Sequence, residues 1–421
     1  MARFYNNFEW EIEVLTPLVI GSGDAPLSPY SDYFIQNGQC HYIDEKRLTE
    51  LLAKDPALMD TFIERVKTTN EDNLPVLDLK DFIRHQMQID PSTLVYKSVP
   101  AKGLDEHDRL PVRQIEKTAG RLYIPGSSMK GAVKTAILYD WMANQPATIV
   151  GNWADQIGTC YSTISDLLTA WCKEKELESP DGDVLKDLEK RMKREIDKLK
   201  DWFREKIEYQ TFREKDKNKK SDKSHSGVFN MLRFADSPAT MQDEDTQVIK
   251  TSRFNLFRES AAIPIATEAI RPGYTTTMQV SLDKQFAHTN MPELRKGMHA
   301  IWGMLLQFTN DTLIVENALI NDTKLPDLNP GLYDRLLDIY DNNFLEKTND
   351  YQILIRLGSG KNVIWNTVFA VLQEKHPEQF HQFRSLFRIG HRFNNEFPAS
   401  MVVTDPGLEQ LGWIKLKSKE V

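Results

Sequence analysis

The sequence predicts an α+β protein in which two mixed halves, residues 1–172 and 227–421, flank a charged helical insertion at 173–226. Three observations carry that reading. The opening segment Phe8-Glu9-Trp10-Glu11-Ile12-Glu13-Val14-Leu15 alternates apolar and acidic side chains, which puts one face of a strand in a core and the other in water. In each half a strand-like run enters a glycine-serine stretch and then a helical pattern. Between them Lys173 to Lys223 turns rich in Lys, Arg, Glu and Asp, with Leu185, Leu188, Met192, Ile196, Leu199, Phe203 and Ile207 three or four residues apart, the spacing of one long amphipathic helix.

Taken in order, the first strand runs through Thr16-Pro17-Leu18-Val19-Ile20 into Gly21-Ser22-Gly23. A hairpin follows, because 33–35 and 40–43 flank Asn37-Gly38, a dipeptide that accepts the positive φ angles of a tight turn. Leu48, Leu51 and Leu52 give 45–54 a helical stripe. Over 70–110 the signals weaken, with Pro75, Pro91 and Pro100 breaking the pattern, and a partly irregular connection is expected. A short strand at 121–124 enters the loop Pro125-Gly126-Ser127-Ser128-Met129-Lys130-Gly131, with a helix at 132–142 after it. Strands are expected at 228–234, 248–257 and 263–282, the last broken at Arg271-Pro272-Gly273. Helical patterns cover 291–308 and 331–344; the strand 351–357 enters Gly358-Ser359-Gly360-Lys361 and a helix at 363–373, and 401–403 and 412–416 read as strands.

Composition narrows the function classes. The 421 residues are 40% hydrophobic and 27% charged, ordinary globular usage that excludes a disordered or collagenous chain. Cys40, Cys160 and Cys172 show no CxxC spacing, which argues against a disulfide framework or a cysteine-rich zinc site and for a reducing, cytoplasmic setting. No apolar run approaches the roughly 18 residues of a membrane helix, and the start lacks a secretory hydrophobic stretch. With 53 Lys plus Arg against 61 Asp plus Glu and a net charge of −8, non-specific polynucleotide binding by bulk charge is disfavoured. Any nucleic-acid contact must reside in a local patch.

The glycine-serine stretches supply such patches. Glycine lets a backbone approach a phosphate, serine adds a hydroxyl, and a helix N-terminus offers free N–H groups, although the same residues also make ordinary turns. Lys130, in the first turn if Ser127 or Ser128 caps the helix, opposes the helix macrodipole and faces Lys134 one turn on; an anionic ligand reverses both penalties. The candidate residues are therefore Gly21, Ser22, Gly23, Gly126, Ser127, Ser128, Lys130, Gly131, Lys134, Gly358, Ser359, Gly360 and Lys361.

Other chemistries fit poorly. A nucleotide-binding P-loop would need glycine where Ile355 stands and Ser or Thr where Asn362 stands, and a dinucleotide loop would need glycine at Val363. No HExxH or GxSxG pattern occurs, His107-Asp108 reads as a surface loop, and Cys40 and His41 point to opposite faces of one strand. Arg384, Arg388, His391 and Arg392, interleaved with Phe383, Phe387 and Phe393, offer cations and rings for RNA, although on a helix those rings suit a core.

The order of these motifs resembles the RAMP superfamily of CRISPR-associated proteins: Thr16 to Gly23 near the start, Tyr123-Ile124-Pro125-Gly126-Ser127-Ser128-Met129-Lys130-Gly131-Ala132 before a helix, Leu357 to Lys361 late, and Phe397-Pro398 ahead of Leu411-Gly412-Trp413-Ile414-Lys415-Leu416. The insertion has no counterpart in it. The resemblance implies two ferredoxin-like, RRM-like lobes with the glycine stretches near RNA, and Lys130, Lys134 and Lys361 on guide phosphates. It further implies a non-catalytic, crRNA-binding subunit that caps the 3′-end side of a type III-A Csm interference complex in antiviral defence and assists assembly and crRNA 3′-end maturation. The implied partners are crRNA and target RNA, the Csm backbone RAMP subunit, the small helical Csm subunit and maturation nucleases, with no metal, cofactor or membrane. The alternative is a RAMP endoribonuclease that cuts CRISPR repeat RNA with His41 as acid or base.

Overall fold

The computed structural model describes residues 5–68, 77–144, 147–203, 228–239, 243–255, 263–284, 292–321, 351–361, 363–366, 368–387, 400–407 and 409–418. The expected helix at 331–344, the tail of the charged stretch beyond 203, and Arg388, His391, Arg392 and Phe393 lie outside them. The chain folds as a mixed α+β structure around two main sheets. A five-stranded sheet runs in the order β12 (Tyr351–Arg356), β14 (Trp413–Ser418), β1 (Tyr5–Val14), β11 (Thr275–Asp283), β8 (Leu232–Phe234). All of its neighbours are antiparallel. The alternation read in β1 is used as expected: Trp10, Ile12 and Val14 are buried, while Glu9 and Glu11 face outward.

The seven-stranded sheet runs β2 (Tyr33–Gln36), β3 (Gln39–Ile43), β4 (Val95–Lys102), β9 (Thr246–Asn255), β10 (Ile263–Ile270), β5 (Val112–Arg113), with β13 (Ser400–Thr404) also on β9. The short strands β6 (Lys117–Thr118) and β7 (Arg121–Leu122) form a separate pair. Each main sheet draws strands from both 1–172 and 227–421. Asn37 and Gly38 adopt φ of 50° and 69°, the turn that their identities announce.

Strand β4 corrects the expectation of an irregular connection. It pairs with β3 as far as Pro100 and with β9 at Ala101 and Lys102, so the proline sits where one partner hands over to the other and its missing N–H costs little. Before it, α1 (Glu45–Leu52), capped by the Asp44 carboxylate, α2 (Pro56–Thr68) and α3 (Leu79–Asp81) cover one face of the hairpin. Helix α2 is a second element that the sequence reading lacks.

Helices α4 (Gly126–Ala143), α5 (Ala147–Lys175), α6 (Gly182–Phe203) and α7 (Met298–Asn321) complete the main helical layer. Apolar side chains of α4, α5 and α7 share one core with the inner face of the five-stranded sheet, and Leu199 of α6 joins it. The expected helix at 291–308 starts later and runs on to Asn321, and the expected helix at 363–373 is two pieces, Val363–Asn366 and Phe369–Lys375. No helix of the described residues is long and apolar enough to cross a membrane.

A buried carboxylate ties the seven-stranded sheet to the segment that leads into α4. Glu268 of β10 is fully buried. Its oxygens accept from the Tyr42 hydroxyl at 2.8 Å, from the Lys117 ammonium at 2.6 and 2.7 Å, and from the Ile115 N–H at 3.2 Å. Removing one partner of such a pair strands the other charge. Glu268→Ala is expected to cost ~2–3 kcal/mol, less than a fully buried pair because Lys117 keeps contact with water. Replacing Lys117 by Met in the same chain should recover part of it, both read from denaturant midpoints.

Candidate nucleic-acid interface

The Pro125 to Gly131 stretch is a helix start, not a loop followed by a helix. Pro125, the N-cap residue, holds the extended φ of −63° and ψ of 130° and makes no side-chain capping bond, and Gly126 is the first residue of the helix. The Gly126 N–H donates to the Asp236 carboxylate at 2.8 Å, so a carboxylate of the chain itself takes the place at the helix N-terminus that a capping serine or an anion would fill. A Cβ on Gly126 would stand 2.4 Å from the Phe234 carbonyl oxygen and 2.7 Å from that of Ala235. Glycine is required here by backbone passing under the helix. Ile124 and Ser237 lock the same crossing, with the Ile124 N–H donating to Ser237 Oγ at 2.8 Å and the Ser237 N–H to the Ile124 carbonyl at 3.0 Å.

What remains accessible on α4 is Ser127 and Gly131, both exposed, with Ser128, Lys130 and Lys134 half-buried beside them. Nothing lies within 4 Å of a Cβ built on Gly131. Burial lowers the proton affinity of Lys130, and the neighbouring charges of Arg233 and Lys134 lower it further. These three cations cluster where α4 meets the edge strand β8. Rings lie against two of them: Lys134 Nζ is 5.3 Å from the Phe229 ring centre and the Arg233 guanidinium 4.6 Å from that of Tyr5.

The other two glycine stretches interlock. The Ser359 N–H donates to the Val19 carbonyl at 2.8 Å, the Leu357 N–H to that of Gly412 at 2.8 Å, and the Gly412 N–H to that of Pro17 at 2.9 Å. A Cβ on Gly358 would meet the Val19 oxygen at 2.1 Å and one on Gly360 the Leu411 oxygen at 2.5 Å. Both glycines thus serve chain packing, which leaves exposed Ser359 and half-buried Lys361 as the accessible groups. Burial lowers the pKa of Lys361, with a second push from Arg356. Arg356 is itself buried, paired with Glu316 of α7 at 2.9 Å and donating to the Leu411 carbonyl at 3.0 Å. The turn is therefore anchored to α7. Gly21 and Gly23 are exposed, and the Ser22 N–H donates to the Gln114 carbonyl at 3.2 Å.

The first and third stretches therefore sit together beyond the end of β12, while the second starts against 234–235, where the chain leaves β8, the opposite edge strand of the five-stranded sheet. His41, the alternative catalytic group, is half-buried, contacts Ser98 Oγ at 2.8 Å and packs on Phe34; burial lowers its pKa. Of the aromatic-cationic cluster near the C-terminus, Phe383 and Arg384 are buried and Phe387 packs on the core. Among the described residues no group of three or more His, Cys, Asp or Glu side chains is placed to hold a metal ion. Arg233, Tyr5 and Phe229 were not among the sequence candidates. Their proximity to Lys130 and Lys134 depends on sheet register and on α4 crossing the strand edge, neither of which local periodicity encodes.

Comparison with known proteins sets this geometry in a family. The RAMP superfamily matches residues 11–244, a span that includes α4, Lys130, Lys134 and Arg233. The CRISPR system Cms protein Csm5 of Methanocaldococcus jannaschii is 31% identical over 137 residues, 32% of this chain and 31% of that protein. The chain thus matches under a third of that relative's length. A chain in the cryo-EM structure of a Csm-crRNA-target RNA ternary complex of a type III-A CRISPR-Cas system aligns with a TM-score of 0.63 and 21% identity, covering 97% of this chain and 100% of that one. The crystal structure of T. onnurineus Csm5 gives 0.58 and 20%, with 96% and 99% covered. At these identities the structural likeness is one of fold.

The two kinds of glycine separate on substitution. Gly126→Ala is expected to destabilise the protein by about 3 kcal/mol because the crossing backbone cannot yield. Gly131→Ala, with open space around it, should stabilise α4 by ~0.5–1 kcal/mol. Chemical denaturation of the two variants measures both signs.

Proposed function

The chain belongs to the RAMP superfamily, and on that basis we propose that it is a non-catalytic, crRNA-binding subunit of a type III-A Csm complex, seated at the 3′-end side of the guide. In that place it ends the run of backbone RAMP subunits, assists assembly and presents the guide for 3′-end maturation in antiviral defence. The observation that carries the reading is the family match over the helix start that bears Lys130 and Lys134, supported by a fold likeness over nearly the whole chain to a chain of a Csm-crRNA-target RNA complex. Burial first, and then the charges of Arg233 and Lys134, disfavour the charged form of Lys130, and a phosphate supplies a counter-charge that offsets them.

On this reading the guide backbone runs past Gly131, Ser127, Lys130 and Lys134, while Gly21 to Gly23 with Ser359 and Lys361 form a second contact at the other sheet edge. Residues 173–226, whose α6 packs along α5, are an insertion between two lobes that exchange strands. The complex is cytoplasmic, and contacts with the backbone subunit, the small helical subunit and maturation nucleases supply most of the binding free energy. That arrangement suits a chain of net charge −8, since a few phosphate contacts suffice when protein contacts hold the assembly. The endoribonuclease alternative has less support. The contacts found for His41, Ser98 and Phe34, supply neither an acid nor a lysine.

Reconstituted complex carrying Lys130→Glu with Lys134→Glu is expected to retain ~10-fold less guide RNA in moderate salt than the wild type. Guide retention at the wild-type level across a salt series would refute the phosphate contact. Purified protein incubated with CRISPR repeat RNA in EDTA is expected to leave it intact; defined products that disappear with His41→Ala would reverse the choice between the two readings.

A further inference from the structure

One row on the outer face of the five-stranded sheet differs from the rest of that face. Register sets Asn7, Ser281 and Arg233 side by side across β1, β11 and β8. Further along the same face lie Glu9, Glu11 and Glu13, with Lys415 paired to Glu13 at 2.5 Å and the Gln279 amide donating to Glu9 at 2.6 Å. Arg233 is exposed, and no salt bridge to it occurs among the described residues. Its guanidinium instead lies over the Tyr5 ring, 4.6 Å from the centre. A ring orients a cation without cancelling its charge, whereas a carboxylate would do both.

Planarity matters here. A guanidinium has two faces, and the exposed Arg233, held over Tyr5 on one side, has a second with which to take a flat, polarisable group such as a nucleobase. Beside it, the Ser281 hydroxyl donates to Asn7 Oδ1 at 2.8 Å, which fixes the Asn7 carboxamide and leaves its NH2 as a donor for a base edge. A cavity of about 290 Å³ opens on the side of Asn7 away from Arg233, where Glu9, Glu11, Gln279 and Lys417 line it. Glu9 on one side of Asn7 and Asp283, the cross-strand partner of Tyr5, on the other repel a phosphate from this row, but not an uncharged base. The cations that suit a phosphate, Lys130 and Lys134, lie around the β8 edge, close enough to Arg233 that its charge lowers the Lys130 pKa.

We infer that this corner is a nucleotide subsite: the base of one single-stranded RNA residue stacks on the Arg233–Tyr5 pair over Asn7, and its phosphate points to Lys130 and Lys134. The inference rests on the RNA-binding reading above and adds to it the base-stacking residues and the orientation of the bound strand. Stacking and phosphate contacts leave different signatures in solution. Loss of a phosphate contact flattens the dependence of log affinity on log salt by about 0.7 for a single strand, whereas loss of a stacked base lowers affinity with the slope unchanged.

The test is fluorescence anisotropy of the full chain with a labelled oligouridylate over a salt series, repeated with an abasic ribose-phosphate oligomer. Tyr5→Leu and Arg233→Lys are expected to weaken oligouridylate binding ~5- to 30-fold at unchanged salt slope and to leave abasic binding unaltered. Tyr5→Phe, which keeps the ring, should bind like the wild type and guards against a folding defect in the leucine variant. Lys130→Ala should flatten the slope for both oligomers. If Tyr5→Leu and Arg233→Lys bind as the wild type does while Lys130→Ala is weakened, the subsite is wrong and the RNA-binding reading stands. If the wild type itself binds neither oligomer at low salt, both are overturned.

Discussion

At Gly126, Gly358, Gly360 and Gly412 the chain lies directly on the backbone of another segment, and a Cβ at any of these positions would stand 2.1–2.5 Å from a neighbouring atom. These contacts decide where the functional groups can be. The crossing at Gly126 fixes the first turn of α4 against 234–237 and so sets Lys130 and Lys134 next to the β8 edge. The crossings at Gly358, Gly360 and Gly412 knit the turn after β12 to Val19 and Leu411, and Arg356 with Glu316 pins that turn to α7. A side chain at any of these positions would separate the segments before it affected any ligand.

Charge is distributed to match. The outer face of the five-stranded sheet carries Glu9, Glu11 and Glu13 along its central strand, with Lys415 and Lys417 opposite two of them, so the face is mixed in charge and not a continuous basic platform. Positive charge gathers instead at one corner, where rings position it, and at Lys361 on the opposite edge. On the proposed reading, an acidic chain holds a polyanion at discrete points without attracting it everywhere. That is a more selective arrangement than a basic groove, whose affinity follows total charge.

Much of this was legible in the sequence where the signal was local. The period-two acids of β1, the Asn37-Gly38 turn and the leucine spacing of α6 each specify their own element, because the side chains that reveal the pattern are the ones the fold uses. Strand β4 was not legible, since Pro100 reads as a breaker until the change of partner at that residue is known. Gly126, Gly358 and Gly360 were legible as special, but the backbone packing that requires them was not. A phosphate and a passing carbonyl ask the same thing of a residue, the absence of a side chain, and only the neighbour distinguishes them. Glu268, an acid amid the apolar run of β10, gave no hint of Lys117 and Tyr42, which reach it from remote parts of the chain. The Arg233–Tyr5 pair likewise exists only once β1, β11 and β8 are in register.

Strand β1 sits in the middle of its sheet, between β11 and β14, and the Trp413 amide reaches the Thr16 hydroxyl across 397 residues. A ribosome adding about 5–20 residues per second needs roughly 20–80 s to cover that interval. Throughout it the nascent chain carries Trp10, Ile12 and Val14 on a strand with an open edge, the kind of surface that recruits other chains. Elongation over that interval competes with association at the open edge, so each second added to translation of the final third lengthens its exposure.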